Sequence, residues 1–212
     1  MGIDYKVPFY ANTPDDTHCF QAGLKSILKY FVSDRDFTWE ELDKATAKGK
    51  DLWTWPMAGL IWMKSQGFDI QNIEIFDYQK FINIGQAYLV EKYGADVAAA
   101  QARNSDVDQE IGYAKKFVSL IKTQEREATL DDIIDYLKKG YLVGVNVNAR
   151  TLNGEPGYVG HFVLVKGVKD GNLIIHDPGS PPLENRVISF EQFDKGWAYP
   201  TVEERNLMAF KK

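Results

Sequence analysis

Apolar residues recur at helical spacing through the first two-thirds of the chain and alternate with polar residues in the last third. The first clear helix is predicted to run from a cap at Asp16 and Thr17 to about Phe31. Its apolar stripe consists of Phe20, Leu24, Ile27, Leu28 and Phe31. A second stripe on this helix is made of small residues, namely Cys19, Ala22, Gly23 and Ser26. Because small side chains let a neighbouring backbone approach closely, we expect this face to pack tightly.

Further helices are predicted up to residue 140. A capping box over 38–41 starts a short helix, and Thr129 caps the last helix, which Gly140 ends. Between these two, the spacing predicts helices over 57–66, 77–93, 95–103 and 106–122, and a short strand over 68–76.

After Gly140 the hydrophobic period changes from helical to two. Turns rich in Gly and Pro separate predicted strands over 143–147, 161–168, 172–177, 186–189 and 206–210. Helices followed by antiparallel strands imply an α+β fold. We expect one domain over residues 1–212, with a helical lobe at about 14–140 and an antiparallel sheet lobe at about 141–212.

Composition and charge narrow the choice of partners. The 212 residues carry a net charge of −5 and no cluster of Lys and Arg, which argues against nucleic acid. No apolar run approaches the ~18 residues of a membrane span, and the first residues lack the apolar core of a signal peptide. One cysteine excludes an intrachain disulfide and fits a reducing compartment. We therefore expect a soluble, cytoplasmic protein with no membrane partner, and the sequence leaves its oligomeric state open.

Cys19 and His161 are the first candidates for chemistry. A lone cysteine usually fills a core, but Cys19 lies in the first turn of its predicted helix, where the helix dipole favours a thiolate. His161 opens a buried strand directly after an aromatic-bearing loop, in which Tyr158 and Gly160 are candidate walls of a cleft. We expect His161 to act as the base for Cys19.

Asp177 is the third candidate, and the turn before its strand decides whether it can reach His161. A two-residue loop at Asp170-Gly171 would place Asp177 on the face opposite to His161. A three-residue loop over 169–171 would place Asp177 on the same face, one diagonal step away. Both turns accept Asp-Gly, and we favour the second because it gives a Cys–His–Asp set.

Three segments of the chain resemble a known family. The segments are Asp-Thr-His-Cys-Phe-Gln-Ala at 16–22, Gly-His-Phe-Val-Leu-Val at 160–165, and Ile-Ile-His-Asp-Pro at 174–178. They are similar to the three blocks of papain-like cysteine peptidases, and above all to the bacteriocin-processing peptidases, which cut after double-glycine leaders, and their stand-alone relatives. The resemblance implies a papain-like fold, with the nucleophile helix packed on an antiparallel sheet, and a catalytic triad of Cys19, His161 and Asp177. It does not account for the predicted helices between residues 77 and 124.

One position departs from the family pattern. The family usually has a glutamine about six residues before the cysteine, and its amide helps to bind the oxyanion. Thr13 occupies that place here, and we propose that Asn12 supplies the amide instead. Trp55 flanks a predicted break and is a further candidate for substrate binding, although core packing is its ordinary role.

The predicted activity is therefore that of a thiol-dependent peptidase or amidase, which cleaves a peptide or amide substrate through an acyl-enzyme on Cys19. Neither a metal nor a cofactor is expected, since no three ligands show zinc-like spacing. Two alternatives stay open: an acyltransferase that uses the same triad, and a papain-like peptide-binding module without turnover.

Overall fold

One sheet organises the chain, and helices cover both of its faces. The structure is a computed structural model that describes residues 2–179 and 181–212. Over these residues the strands are β1 (Ile3–Asp4), β2 (Asp69–Ile73), β3 (Thr123–Gln124), β4 (Leu142–Asn148), β5 (Gly160–Lys169), β6 (Asn172–Asp177), β7 (Leu183–Ser189) and β8 (Leu207–Lys211). The helices are α1 (Cys19–Phe31), α2 (Trp39–Ala45), α3 (Pro56–Ser65), α4 (Tyr78–Ile84), α5 (Gln86–Tyr93), α6 (Ala95–Asn104), α7 (Val107–Leu120), α8 (Leu130–Lys138), α9 (Ala149–Leu152) and α10 (Phe190–Trp197).

The strand order in the sheet is β3-β2-β8-β4-β5-β6-β7, and β1 pairs with β5. All pairs are antiparallel except β2 and β3, which are parallel. The predicted α+β class is confirmed. The sheet is mixed rather than wholly antiparallel, however, because β2 and β3 are parallel. Strands β1, β2 and β3 come from the part of the chain that the hydrophobic pattern assigned mainly to helices.

Helix α1 begins later than the sequence predicts. His18 is its N-cap residue and no side chain caps the helix there, so the cap predicted at Asp16 and Thr17 is wrong. The backbone N–H of His18 instead donates to Oδ1 of Asn12 over 2.7 Å. The two capping boxes behave as predicted, with Thr38 starting α2 and Thr129 starting α8.

The small face of α1 lets the helix lie close to the sheet. A Cβ atom added to Gly23 would lie 2.2 Å from Cε1 of Phe162 on β5, and one added to Gly144 on β4 would lie 2.3 Å from Cζ of the same ring. Phe20 of α1 meets the ring edge-on, with 5.2 Å between the centroids. The close packing expected from the small stripe is therefore confirmed, and it brings the start of α1 beside the start of β5.

Both faces of the central strands are buried. In β4, Gly144 and Asn148 are buried as well as the alternating valines. One apolar core, which includes Leu24 and Phe162, lies between the sheet and α1; the other includes Val145 and Phe193 and lies beneath α8 and α10. The sheet is covered on both sides because helices from the two ends of the chain pack on opposite faces.

The β5–β6 hairpin does not have the turn that we favoured. Lys169 pairs with Asn172, so the loop consists of the two residues Asp170 and Gly171, whose φ angles are 51° and 76°. These left-handed angles are typical of a tight hairpin turn. A β-bulge between Val165 and Gly167 then shifts the register by one residue. The bulge returns the distal end of the hairpin to the register that a three-residue loop would have given.

Candidate active site

Cys19 is the first residue of α1 and is partly buried. Its sulfur receives hydrogen bonds from the backbone N–H groups of Phe20 and Phe162, and it interacts with the imidazole of His161. Burial raises the pKa of the thiol, but the hydrogen bond and charge of His161, together with the two N–H groups, outweigh burial and lower the pKa overall. These surroundings stabilise a thiolate.

His161 and Asp177 form a buried pair beside this sulfur. Nε2 of His161 lies 2.7 Å from Oδ1 of Asp177, and both side chains are less than one-tenth exposed. Burial alone would lower the pKa of His161, but its hydrogen bonds to Asp177 and Cys19 and their negative charges raise it to about 10. Since Nε2 faces the carboxylate, Nδ1 is the ring nitrogen left for the sulfur.

A glycine covers the imidazole–carboxylate pair. The N–H of Gly179 donates to Oδ1 of Asp177 over 3.1 Å. A Cβ atom on Gly179 would lie 3.1 Å from that oxygen and 3.2 Å from Nε2 of His161. A side chain at this position would therefore press on the pair. Sequence reasoning did not single out Gly179, although it follows Asp177-Pro178 directly.

Asn12 lies next to the start of α1, where its amide oxygen ties two backbone groups together. Oδ1 accepts from the N–H of Thr13 and from the N–H of His18, while Nδ2 donates to Oδ1 of Asp16 over 3.2 Å. The N–H of Asn12 itself donates to the carbonyl of Pro178, which links this loop to the segment after Asp177. One amide hydrogen of Asn12 thus bonds to Asp16.

The three candidates for substrate contact lie in different surroundings. Tyr158 is 59% exposed and stacks on Tyr199 with 6.0 Å between the ring centroids. Gly160 is exposed at the start of β5, where a Cβ atom would lie 3.2 Å from the hydroxyl of Tyr158. Trp55 instead stacks on Phe81 of α4, and its Nε1 donates to a serine hydroxyl. The ring of Trp55 therefore packs among the helices, whereas Tyr158 and Gly160 lie directly before His161 in the chain.

Arg186 on β7 is a second residue beside the site that sequence reasoning missed. Its Nη1 donates to Oδ2 of Asp177 over 2.7 Å. The neighbours of Arg186 on β7 are mostly exposed, so the local sequence does not indicate a contact with Asp177. Arg186 reaches the carboxylate only because β7 pairs with β6.

The described residues hold neither a grouped set of metal ligands nor a helix that could span a membrane. Between residues 2–179 and 181–212, no three His, Cys, Asp or Glu side chains are grouped as metal ligands would be. In the same part of the chain, no helix has the length and apolar character needed to cross a membrane.

The chain matches one family model and is similar to solved structures. The model of the Peptidase_C39 like family matches residues 5–202. The peptidase domain of Streptococcus ComA, a bi-functional ABC transporter involved in a quorum sensing pathway, is 14% identical, with a TM-score of 0.49 over 96% of this chain and 95% of that chain. A C39-like peptidase from Bacillus anthracis is 15% identical, with a TM-score of 0.33 over 48% of this chain and 56% of that one. No curated protein matches. Neither structure is similar enough to add to what the family match shows.

Proposed function

The chain belongs to the C39-like peptidase family, and from this premise we propose that it is a cysteine peptidase or amidase that forms its acyl-enzyme on Cys19. The observation that carries the proposal is the imidazole of His161, which lies between the Cys19 sulfur and a carboxylate oxygen of Asp177 at 2.7 Å. A nucleophile, a base and a group that orients the base are the parts that nucleophilic acyl transfer needs.

In the first half of the reaction, the Cys19 thiolate attacks the substrate carbonyl carbon. The tetrahedral oxyanion is bound by the backbone N–H of Cys19 and by the free amide hydrogen of Asn12. The protonated His161 then gives its proton to the departing amine, so the C–N bond breaks and a thioester remains on Cys19.

In the second half, His161 is neutral and accepts a proton from water. The water oxygen attacks the thioester, the acid is released, and the thiolate–imidazolium pair re-forms. Asp177 holds the ring orientation in both halves and stabilises its charged form. Gly160 directly precedes His161 on β5 and Tyr158 lies two residues before Gly160, so these are the residues that we expect to contact an extended peptide.

Alkylation of Cys19 by iodoacetamide across pH tests the ion pair directly. The thiolate forms above the lowered pKa of Cys19 and the imidazolium persists up to the pKa of His161 at about 10. We therefore expect rapid labelling at pH 6 in the wild-type protein. In His161→Ala the thiol returns towards an ordinary pKa of about 8.5, and the labelling rate at pH 6 falls by roughly 10²-fold.

His176→Gln is the matched control, because it removes a buried imidazole that does not touch Cys19. Nε2 of His176 donates to the carbonyl of Val7, and Nδ1 accepts from the N–H of Asn185; a glutamine keeps one N–H donor type and one acceptor for these two groups. Its labelling profile should match the wild type.

Cleavage of a synthetic peptide library, followed by mass spectrometry with Cys19→Ala as the blank, provides the turnover assay. Wild-type labelling that rises only above pH 8 would contradict the proposal and favour an inert binding module.

A further inference from the structure

The two carboxylate oxygens of Asp177 are divided between two cations. Oδ1 faces Nε2 of His161 and accepts from the N–H of Gly179, while Oδ2 accepts from Nη1 of Arg186 over 2.7 Å. The side chain of Asp177 is 7% exposed and that of Arg186 is 16% exposed, so water screens this contact little. A carboxylate held at both oxygens has one orientation towards the imidazole.

Arg186 is itself held in place. Its Nη1 also donates to Oδ1 of Asn153 over 2.8 Å, and its Nη2 donates to the carbonyl of Leu152 over 3.0 Å. The planar guanidinium fork meets three acceptors, which a lysine ammonium on a flexible stem does not reproduce. Two of these acceptors lie at the end of α9, directly before the loop that carries Tyr158. Arg186 therefore holds both the carboxylate of Asp177 and the start of that loop.

The charges along this chain of contacts alternate and sum to zero. The charged groups facing Asp177 are His161 from β5 and Arg186 from β7, and those facing His161 are Cys19 from α1 and Asp177 from β6. With a thiolate and an imidazolium present, the order is negative, positive, negative, positive. Without Arg186 a mostly buried cluster would carry a net negative charge, which disfavours the thiolate.

We propose that Arg186 is a positioning residue of this site: it fixes the orientation of Asp177 and balances the charge of the Cys19–His161–Asp177 cluster. This inference rests on the proposed function. The guanidinium of Arg186 holds the carboxylate of Asp177 in the orientation that faces the imidazole. The positive charge of Arg186 favours the thiolate, although Arg186 does not contact the reacting atoms.

Replacements that separate charge from geometry test this role. In Arg186→Gln the pH midpoint of iodoacetamide labelling should rise by about one unit, because one positive charge leaves the cluster. Peptide turnover in the same variant should fall by roughly 10–10²-fold. Arg186→Lys keeps the charge and loses the fork, so its midpoint should stay near the wild type while turnover still falls several-fold. Arg150→Gln is the matched control, since this arginine on α9 pairs with Glu155 and is half exposed.

The outcomes are distinguishable from failure of the proposed function. Wild-type protein that is not labelled at pH 6 contradicts the ion pair itself. Wild-type labelling at pH 6, together with an Arg186→Gln profile and turnover equal to those of Arg150→Gln, overturns the role of Arg186. If Arg186→Gln does not fold, Arg186→Lys decides: wild-type turnover in that variant overturns the role, and reduced turnover at an unchanged midpoint supports it.

Discussion

Gly23→Ala is expected to separate α1, the helix that begins at Cys19, from the sheet. The added methyl carbon would start 2.2 Å from Cε1 and 2.7 Å from Cδ1 of Phe162. Carbon atoms in contact normally lie about 3.5–4.0 Å apart. The ring cannot turn away freely, because its opposite edge lies against Gly144 and its face meets Phe20. The clash must therefore be relieved largely by movement of α1.

The displacement needed is about 1.3 Å or more, the difference between 2.2 Å and an ordinary carbon contact. Overpacking of this kind typically costs about 1–3 kcal/mol of stability. Cys19 lies one turn before Gly23, and His161 directly precedes Phe162, so the same movement lengthens the sulfur–imidazole contact. A misplacement of about 1 Å at reacting groups can reduce turnover by roughly 10²-fold.

Urea unfolding and the pH profile of iodoacetamide labelling measure the two effects separately. Gly112→Ala in α7 is the matched control, because a Cβ atom there has no neighbour within 4 Å and alanine favours a helix by about 0.5–1 kcal/mol. Adding Phe162→Leu to Gly23→Ala makes room for the methyl group and should restore part of both losses. If Gly23→Ala gains stability as Gly112→Ala does and keeps labelling at pH 6, the reasoning about the α1–β5 contact is refuted.

Two further predictions concern Asn12 and Glu110. Asn12→Asp keeps the oxygen that accepts from the N–H of His18 but loses the amide donors. Peptide turnover should therefore fall by about 10²–10³-fold while the fold is retained. Wild-type turnover in this variant would rule out the oxyanion role of Asn12. Burial, and then the charge of Asp106, raises the pKa of Glu110 from 4.5 to about 8. Because the folded state binds this proton more tightly than the unfolded state, the free energy of unfolding falls as pH rises from about 4.5 to 8 and stays low above it. Glu110→Gln should therefore be more stable than the wild type at pH 9, by at most about 5 kcal/mol, and similar to it near pH 4; parallel curves in urea unfolding would contradict this.

The elements that local chemistry specifies were predictable from the sequence. The capping boxes at Thr38 and Thr129 start helices in the structure, and the change of period after Gly140 marks the change to strands. The small stripe of α1 was readable as a packing face because glycine leaves room that no other residue leaves. Each of these signals lies within about one helical turn of the feature that it predicts.

Features that depend on distant partners were not predictable in this way. The start of α1 is tied by Asn12, whose N–H in turn donates to the carbonyl of Pro178. The side chain of His18 is 12% exposed because its ring packs edge-on against Trp39 of α2. The contact between Arg186 and Asp177 likewise exists only after β7 has paired with β6. No pattern within a single element reports such contacts.

The hairpin that carries His161 and Asp177 depends both on local turn chemistry and on contacts with a distant part of the chain. Its Asp-Gly loop has the tight two-residue geometry, and that register alone would turn Asp177 away from His161. The bulge at Lys166 adds one residue to β5 and so returns Asp177 to the face of His161. A bulge leaves polar groups that need partners, and here the N-terminal segment supplies them. The N–H of Tyr5 donates to the carbonyl of Lys166, and the buried ammonium of Lys166 bonds to the carboxylate of Asp4. The alignment of the imidazole with its carboxylate therefore depends on residues more than 150 positions earlier in the chain, which is why turn chemistry alone led to the wrong loop and yet to the right face.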